Sequence, residues 1–469
     1  MATGTCSGCL ERDAEIADLK RRVAELEALV RDLSARLGTN ATNSSTPPSA
    51  NPPHAPKLPP KEPTGNKPGG QPGHPAHLKR RLPPERVARA VTFAPARCGR
   101  CHEPLPPLPS PADPPPTWHQ VAELPPVAAE VVEYQGQYRT CPCCGTLNHA
   151  AIPAEIKAHS VGPRLAATLA YLAGCHHVSK RGLEEIAEAV FEVPLALGTV
   201  SHLEGQMSAA LAAPHAEALE AVRRAAVKYV DETGWKMAGQ RRWLWLAATS
   251  TVAAFLICVG RGFAALKALL GTDVIGFLTS DRWAVYDKWP LWRRQICWAH
   301  LKRDFQKLVD RGGEAMRLGE AFLRIERRVF EEWHLFRGGT FGRRALQNHL
   351  DAEAREFERL LESGCGCADA KAAAFCENLL SLLPAVWRFV VTEGIEPTNN
   401  HAERLLRRGV LWRKNAFGCQ SEGGCRFVER ILTAVQTLRL QGRPVLPYLR
   451  DVLVAHRKGL QAPSLLPVS

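Results

Sequence analysis

No run in this sequence is long and apolar enough to span a bilayer. The nearest approach, Trp243 to Gly260, follows Arg241-Arg242 and is interrupted by Thr249-Ser250-Thr251, so it reads as two strands joined by a turn. The opening residues, Met1-Ala2-Thr3-Gly4-Thr5-Cys6, lack the basic-then-apolar layout of a secretion signal. Acidic residues are in deficit: 47 Asp and Glu stand against 60 Lys and Arg, a formal charge of +13 that favours a polyanionic partner. Cysteine is not scarce. Several of the fifteen fall in Cys-x-x-Cys pairs, the spacing of metal ligands in a reducing cytosol more than of a disulfide framework. A soluble, cytoplasmic protein with no membrane partner is expected. Its 469 residues, 45% apolar, can fill real cores and exceed one compact domain.

Ile16, Leu19, Val23, Leu26, Val30, Leu33 and Leu37 recur at alternating spacings of three and four. That a/d seam predicts a zipper-like coiled coil over 10–37, whose job is self-association. Residues 38–90 form a Pro/Gly/Lys-rich linker. Within it, Asn66-Lys67-Pro68-Gly69-Gly70-Gln71-Pro72-Gly73-His74 excludes helix and strand, and the surrounding cations can trail along a phosphate backbone. Residues 91–150 carry Cys98-Gly99-Arg100-Cys101 and Cys141-Pro142-Cys143-Cys144-Gly145. Two such thiolate pairs suit a tetrahedral structural Zn²⁺ held by Cys98, Cys101, Cys141 and Cys144. Cys143 competes for the fourth place, a hairpin is expected at Val127 to Tyr138, and the Cys6/Cys9 pair reads as unliganded.

Residues 155–225 read as helical, and the turn before Gly198-Thr199-Val200-Ser201-His202-Leu203 is compatible with a DNA-binding helix-turn-helix. From 226 the period changes. Strands are predicted at 227–230, 242–249 and 253–259, a helix at 263–270, then strands at 274–279 and 295–298. Three strands, a helix and a further strand describe a ribonuclease-H-like mixed sheet, in which the first and fourth strands are neighbours. That core, 226–425, is interrupted by an all-α insertion at about 300–390. A helical region over 426–462 breaks near Gly442-Arg443-Pro444. The expected architecture is multidomain α/β, with the mixed-sheet core and its insertion behind a coiled coil and a small zinc-binding module.

Three acidic residues stand in settings suited to chemistry. Asp231 ends the apolar run from Ala226 to Val230, and Asp281 ends the run from Val274 to Ser280. Glu403 lies in Thr398-Asn399-Asn400-His401-Ala402-Glu403-Arg404, which opens a basic helix. Two carboxylates at neighbouring strand tips and a third from a helix can hold a pair of Mg²⁺ or Mn²⁺ ions and act on a phosphodiester. Glu232 is a neighbouring alternative, but successive strand side chains point to opposite faces, so one of the two misses the site. Asp287 lies beyond the strand end. Asn399, Glu403 and Arg407 share a helical face, flanked by Asn400 and Arg404. His300 and Arg303, in Cys297-Trp298-Ala299-His300-Leu301-Lys302-Arg303-Asp304, share another. Both sets are candidate DNA contacts, while Trp298 reads as core.

With these stretches the chain resembles the large transposase of the insertion sequence 66 family nearly end to end. The motifs Tyr229-Val230-Asp231-Glu232-Thr233-Gly234-Trp235 and Ser280-Asp281-Arg282-Trp283-Ala284-Val285-Tyr286 carry the resemblance, together with the stretches around His300 and Glu403. It implies that Asp231, Asp281 and Glu403 are an Asp-Asp-Glu triad in a ribonuclease-H-like core. It also implies metal-dependent cleavage of 3′ ends and strand transfer. The partners it implies are double-stranded DNA (element ends and target), a second copy of the chain, and small accessory proteins encoded by the same element, with the protein at the nucleoid. The rival reading is a catalytically silent, transposase-derived DNA-binding regulator, which the charge, cysteines and zipper fit equally well.

Overall fold

A computed structural model describes residue 16, residues 18–27, residue 30, residues 81–125 and residues 127–467. The described residues between 16 and 30 are helical, and Ile16, Leu19, Val23, Leu26 and Val30 are exposed along them. Leu33, Leu37, the Cys6/Cys9 pair and the linker through Arg80 lie outside the described residues. No helix among the described residues is long and apolar enough to cross a membrane.

The chain divides into two compact units, Pro56–Ala129 and the remainder. The described part of the small unit has little regular structure beyond a 3₁₀ turn at Pro84–Arg86. Its cysteine pair sits in a tight turn. His102 N–H donates to the Cys98 carbonyl (3.0 Å), Cys98 N–H donates to Glu103 (2.9 Å), and Arg100 N–H points at Cys98 Sγ (3.4 Å). Hydrogen bonds from Cys101, foremost, and from the Arg100 N–H hold the Cys98 thiol below its ordinary pKa.

In the larger unit the second cysteine pair is framed by an antiparallel pair, β1 (Tyr138–Thr140) and β2 (Leu147–His149). Gly145, at φ +71°, returns its N–H to the Cys141 carbonyl (2.9 Å). Cys144 Sγ lies 3.2 Å from the Thr146 hydroxyl, and hydrogen bonds from Thr146 to the sulfur keep that thiol below its ordinary pKa. The hairpin expected at Val127 to Tyr138 does not form. Residues 127–137 carry no strand assignment, and Val127, Val131, Val132 and Tyr134 stay exposed. Their alternation had no neighbouring strand to pair with, and an unpartnered apolar strand gains little.

Five helices follow: α1 (Ala154–Lys157), α2 (Pro163–His176), α3 (Lys180–Phe191), α4 (Leu197–Ala210) and α5 (Ala212–Arg224). Ser179 caps α3 by accepting from Gly182 N–H. The central sheet contains β3 (Val227–Met237), β4 (Gln240–Ala248), β5 (Ala253–Cys258), β6 (Phe277–Ser280) and β7 (Arg294–Ile296). Its order is β5-β4-β3-β6-β7. The first three strands run antiparallel, whereas β6 and β7 run parallel to β3. The helix α6 (Phe263–Leu270) joins the two halves. The first and fourth strands are adjacent, as expected from their order in sequence.

Two strand boundaries differ most from expectation, and the strand expected at 295–298 ends at Ile296, with Trp298 opening a helix. β3 runs on through Asp231-Glu232-Thr233-Gly234, which reads as a turn, because β4 pairs with it residue for residue to Met237. Asp231 therefore lies within β3 and not at its tip. β6 starts late, at Phe277: Gly276 is left-handed (φ +67°), and a Cβ there would strike the carbonyl oxygens of Ala225 and Ala226.

The remaining helices are α7 (Trp298–Arg311), α8 (Gly313–Arg337), α9 (Arg343–Gly364), α10 (Ala370–Ser381), α11 (Leu383–Val386), α12 (Arg388–Val391), α13 (Asn400–Ala416), α14 (Glu422–Leu440) and α15 (Val445–Arg457). Helices α7 to α12 enclose their own apolar cluster around Trp298, Phe305, Phe322, Phe357 and Phe389. Trp298 is fully buried there, in keeping with its reading as core. The sheet, α13 and α14 share the other cluster.

Helix α14 closes the open edge of the sheet with side chains. Glu429, Thr433 and Thr437 accept the backbone N–H groups of Ile257, Phe255 and Ala253. Four helical residues advance about 6 Å and two strand residues about 6.6 Å, so an i, i+4, i+8 row can shadow every second strand residue. An edge left bare would invite pairing with another chain. Burial pushes the Glu429 carboxyl up from 4.5 to about 7. A raised folded-state pKa contributes stability that is fully present below 4.5 and lost as pH rises through about 7, on the order of 3 kcal/mol in all. Glu429→Gln keeps an acceptor for Ile257 and removes the titration. Its melting temperature is expected to stay flat between about pH 5 and pH 8, while the wild type loses a few degrees.

Candidate active site

Alternation along β3 sorts its side chains. Tyr229 packs on His401 of α13 (ring centroids 5.2 Å apart), and the Thr233 hydroxyl accepts from Arg413 of α13 (2.9 Å). Asp231, between them, shares the face toward α13. Glu232 takes the other face, where Tyr286 and Arg261 donate to its carboxylate. Asp281 leaves β6 directly after Ser280. The parallel register pairs Tyr229 with Thr279, and continuing it two residues brings Asp231 alongside Asp281. Asp281 accepts from the Trp283 N–H (2.9 Å).

Glu403 comes from the first turn of α13, where the helix dipole favours a carboxylate. Its Oε1 lies 3.4 Å from Arg303 Nη2 and 3.5 Å from His300 Nδ1. Burial and Arg303 lower the pKa of His300, so the imidazole is neutral near pH 7 and the contact is not an ion pair. Helix α13 lies close on β4 because Gly409 faces it: a Cβ there would run into the buried Leu244 side chain.

The three carboxylates act on one another. Burial, then Glu232, Asp281 and Glu403, push the Asp231 carboxyl well above its ordinary pKa. Asp231 and Glu403 line one side of a cavity of about 1040 Å³, together with Glu232, His300, Arg303, Asn400, Arg404 and Arg407, while Asp281 is not part of its lining. Phe330, Trp333, His334 and Arg337 of α8 line the other side. Asn400, Arg404 and Arg407 are exposed. Asn399 is not; it is 1% exposed and so offers no surface to a duplex. Its amide donates to the Val230 carbonyl (2.8 Å), and its backbone N–H to Cys297 Sγ (3.1 Å). It ties β3, the start of α7 and the start of α13 together.

A buried Asp231 held against ionisation, with further carboxylates near it, suits a hard divalent cation, for which acidic oxygens are the matching donors. Among the described residues, Cys297, His300 and Glu403 also bring donor atoms within 4.8 Å of one another. Cys297 is the poor member of that set. Burial pushes its thiol up to about 12, and its sulfur already accepts from Asn399.

The α8 wall escaped the sequence reading because Phe330 and Trp333 look like ordinary members of an amphipathic helix. The pairing of Glu232 with Arg261 and Tyr286 was equally silent; alternation turns the Glu232 side chain to the other face of β3, yet Glu232 lines the same cavity as Asp231.

Fold and site define a multidomain α/β protein whose mixed sheet presents acidic side chains beside a large, arginine-lined cavity. The family model described as Transposase IS66 family matches residues 159–426, more than half of the chain, and the chain belongs to that family. The resemblance read from its motifs is thereby borne out. A second model, described as a family of unknown function (DUF6444), matches residues 7–80. Among curated proteins, the Uncharacterized protein y4qI of Sinorhizobium fredii (strain NBRC 101917 / NGR234) is similar, with 30% identity over 173 residues. The match covers 35% of this chain and 31% of that relative, so the chain spans about a third of the relative's length.

Proposed function

We propose that this protein is a DNA transposase that binds the terminal repeats of an insertion sequence, cleaves their 3′ ends and joins them to target DNA. One observation carries the reading most: the Asp231 carboxyl is pushed upward by burial and by Glu232, Asp281 and Glu403 beside an arginine-lined cavity. Asp231, Asp281 and Glu403 are the oxygen donors for Mg²⁺ or Mn²⁺. The bound cation supplies Lewis acidity toward a phosphodiester and lowers the pKa of a water or hydroxyl. The exposed Arg404, Arg407 and Asn400 hold backbone phosphates across the cavity mouth, and neutral His300 offers a hydrogen bond without adding charge.

The sheet order β5-β4-β3-β6-β7 supports a ribonuclease-H-like core, and the separate apolar cluster of α7 to α12 supports an inserted helical domain. The exposed Ile16-to-Val30 seam supports pairing of subunits through a coiled coil. Each cysteine turn, taken by itself, offers a thiol already biased toward thiolate, which suits zinc. Helix α4 turns Ser201, His202 and Gly205 outward, in support of end recognition by a helix-turn-helix.

The test incubates the full chain with labelled element-end DNA and a target plasmid, with Mg²⁺ or with chelator. Joined product is expected with Mg²⁺ alone, and Glu403→Ala is expected to lose it while still shifting end DNA. Wild-type strand transfer by Glu403→Ala would remove Glu403 from the triad. Binding without cleavage, even after companion proteins from the same element are added, would favour the silent regulator.

A further inference from the structure

On the face of β3 turned away from α13, four side chains from three distant stretches form an alternating run. Register places Arg241 opposite Lys236 and Trp243 opposite Gly234, on the same side of the sheet as Glu232. The Arg241 guanidinium lies over the Trp243 indole at 5.0 Å. Arg261 lies over that same ring at 5.0 Å and over Trp283 at 4.3 Å. The run is anchored to the carboxylates at two points. Arg261 pairs with Glu232 at 2.6 Å, one residue from Asp231, and the backbone N–H of Trp283 donates to Asp281.

Packing alone does not account for this run. Trp283 is 42% exposed, Arg241 is exposed, and Val259 and Phe263 beside Arg261 are exposed as well. Arginine stacked on indole holds both groups in one orientation, which lowers the cost of ordering them on a ligand. The result is a fixed aromatic face beside fixed positive charge. A nucleobase needs the first and a phosphate the second. A duplex hides its base faces in the stack, so only unpaired nucleotides can use the indole.

We propose that the run of Arg241, Trp243, Arg261 and Trp283 binds unpaired nucleotides of the DNA strand next to the cleaved phosphate. Trp283 is the platform on which a base stacks, and Arg241 meets the backbone phosphate. The proposal rests on reading the carboxylate cluster as the cleavage site, since that reading puts a strand end beside Asp281.

The test uses the full chain in chelating buffer, where cleavage plays no part. Two element-end DNAs are compared, one blunt and one carrying a short single-stranded tail with 2-aminopurine at its junction. The wild type is expected to prefer the tailed DNA and to quench the 2-aminopurine emission. Trp283→Ala should weaken binding of the tailed DNA about tenfold and leave the blunt DNA within about twofold. Trp283→Phe should keep most of the preference, and both variants should melt as the wild type does. The proposal falls if Trp283→Ala binds the tailed DNA normally, or loses tailed and blunt DNA alike. If Mg²⁺ yields no cleavage but the tail preference persists and depends on Trp283, the cleavage reading fails and the stacking site stands.

Discussion

Asp231→Asn is expected to lower Mg²⁺-dependent cleavage by at least about three orders of magnitude and to leave end binding within about twofold of wild type. The size follows from what the carboxylate does. In the role proposed for it, a carboxylate ligand to the cations would contribute several kcal/mol to the stabilisation of developing charge, and about 1.4 kcal/mol is a factor of ten in rate. A second consequence is less obvious. Burial and the neighbouring Glu232, Asp281 and Glu403 disfavour the Asp231 anion, so without cation the wild type carries a local electrostatic cost that asparagine lacks. The variant should therefore melt at or above the wild-type temperature in chelator. Adding Mg²⁺ should raise the wild-type melting temperature and move the variant much less, because a ligand stabilises only the form that binds it. Differential scanning fluorimetry with and without Mg²⁺, beside the cleavage assay, reads both. A variant that cleaves normally would remove Asp231 from the chemistry, and equal Mg²⁺ shifts in both proteins would place the cation elsewhere.

Much of the frame behind this site was legible from residue order. The helix at Phe263–Leu270 and the parallel neighbour Phe277–Ser280 follow from runs of apolar residues with clear breaks, and pairing the first and fourth strands follows from the order of elements. Period-two alternation was enough to turn Asp231 and Glu232 to opposite faces of β3. What the sequence hid depended on partners far along the chain. β3 continues through four polar or small residues only because β4 supplies a ladder, whereas the similar-looking stretch from Val127 has none and stays irregular. Arg241, Trp243, Arg261 and Trp283 are brought together by a hairpin and a crossover, and no local window contains them. Burial was the other blind spot. Asn399 and Asn400 are adjacent and chemically identical, yet one is enclosed and the other exposed, because one precedes the helix in a junction and the other begins the helix surface.

That contrast makes Asn399→Ala the sharpest probe of the site's construction. The substitution leaves the Val230 carbonyl without its side-chain donor, in a place closed to water, at a cost of about 1–3 kcal/mol. The larger effect is geometric. Asn399 is the residue before α13, and its carbonyl accepts the N–H of Glu403 at 3.1 Å. Loosening its hold on β3 frees the turn that carries Glu403. Displacements of about an ångström at a reacting centre cost on the order of a hundredfold in rate, so cleavage is expected to fall about that far. DNA affinity is the discriminating measurement. Had Asn399 touched phosphate, as its place on the Glu403 helix suggested, its loss would weaken DNA binding and flatten the salt dependence. As a buried tie, it should leave affinity and salt slope unchanged, while Asn400→Ala, Arg404→Ala and Arg407→Ala lower affinity with little change in melting temperature. Weakened binding by Asn399→Ala with undiminished cleavage of bound DNA would mean that the residue reaches the duplex after all, through an opening of this junction.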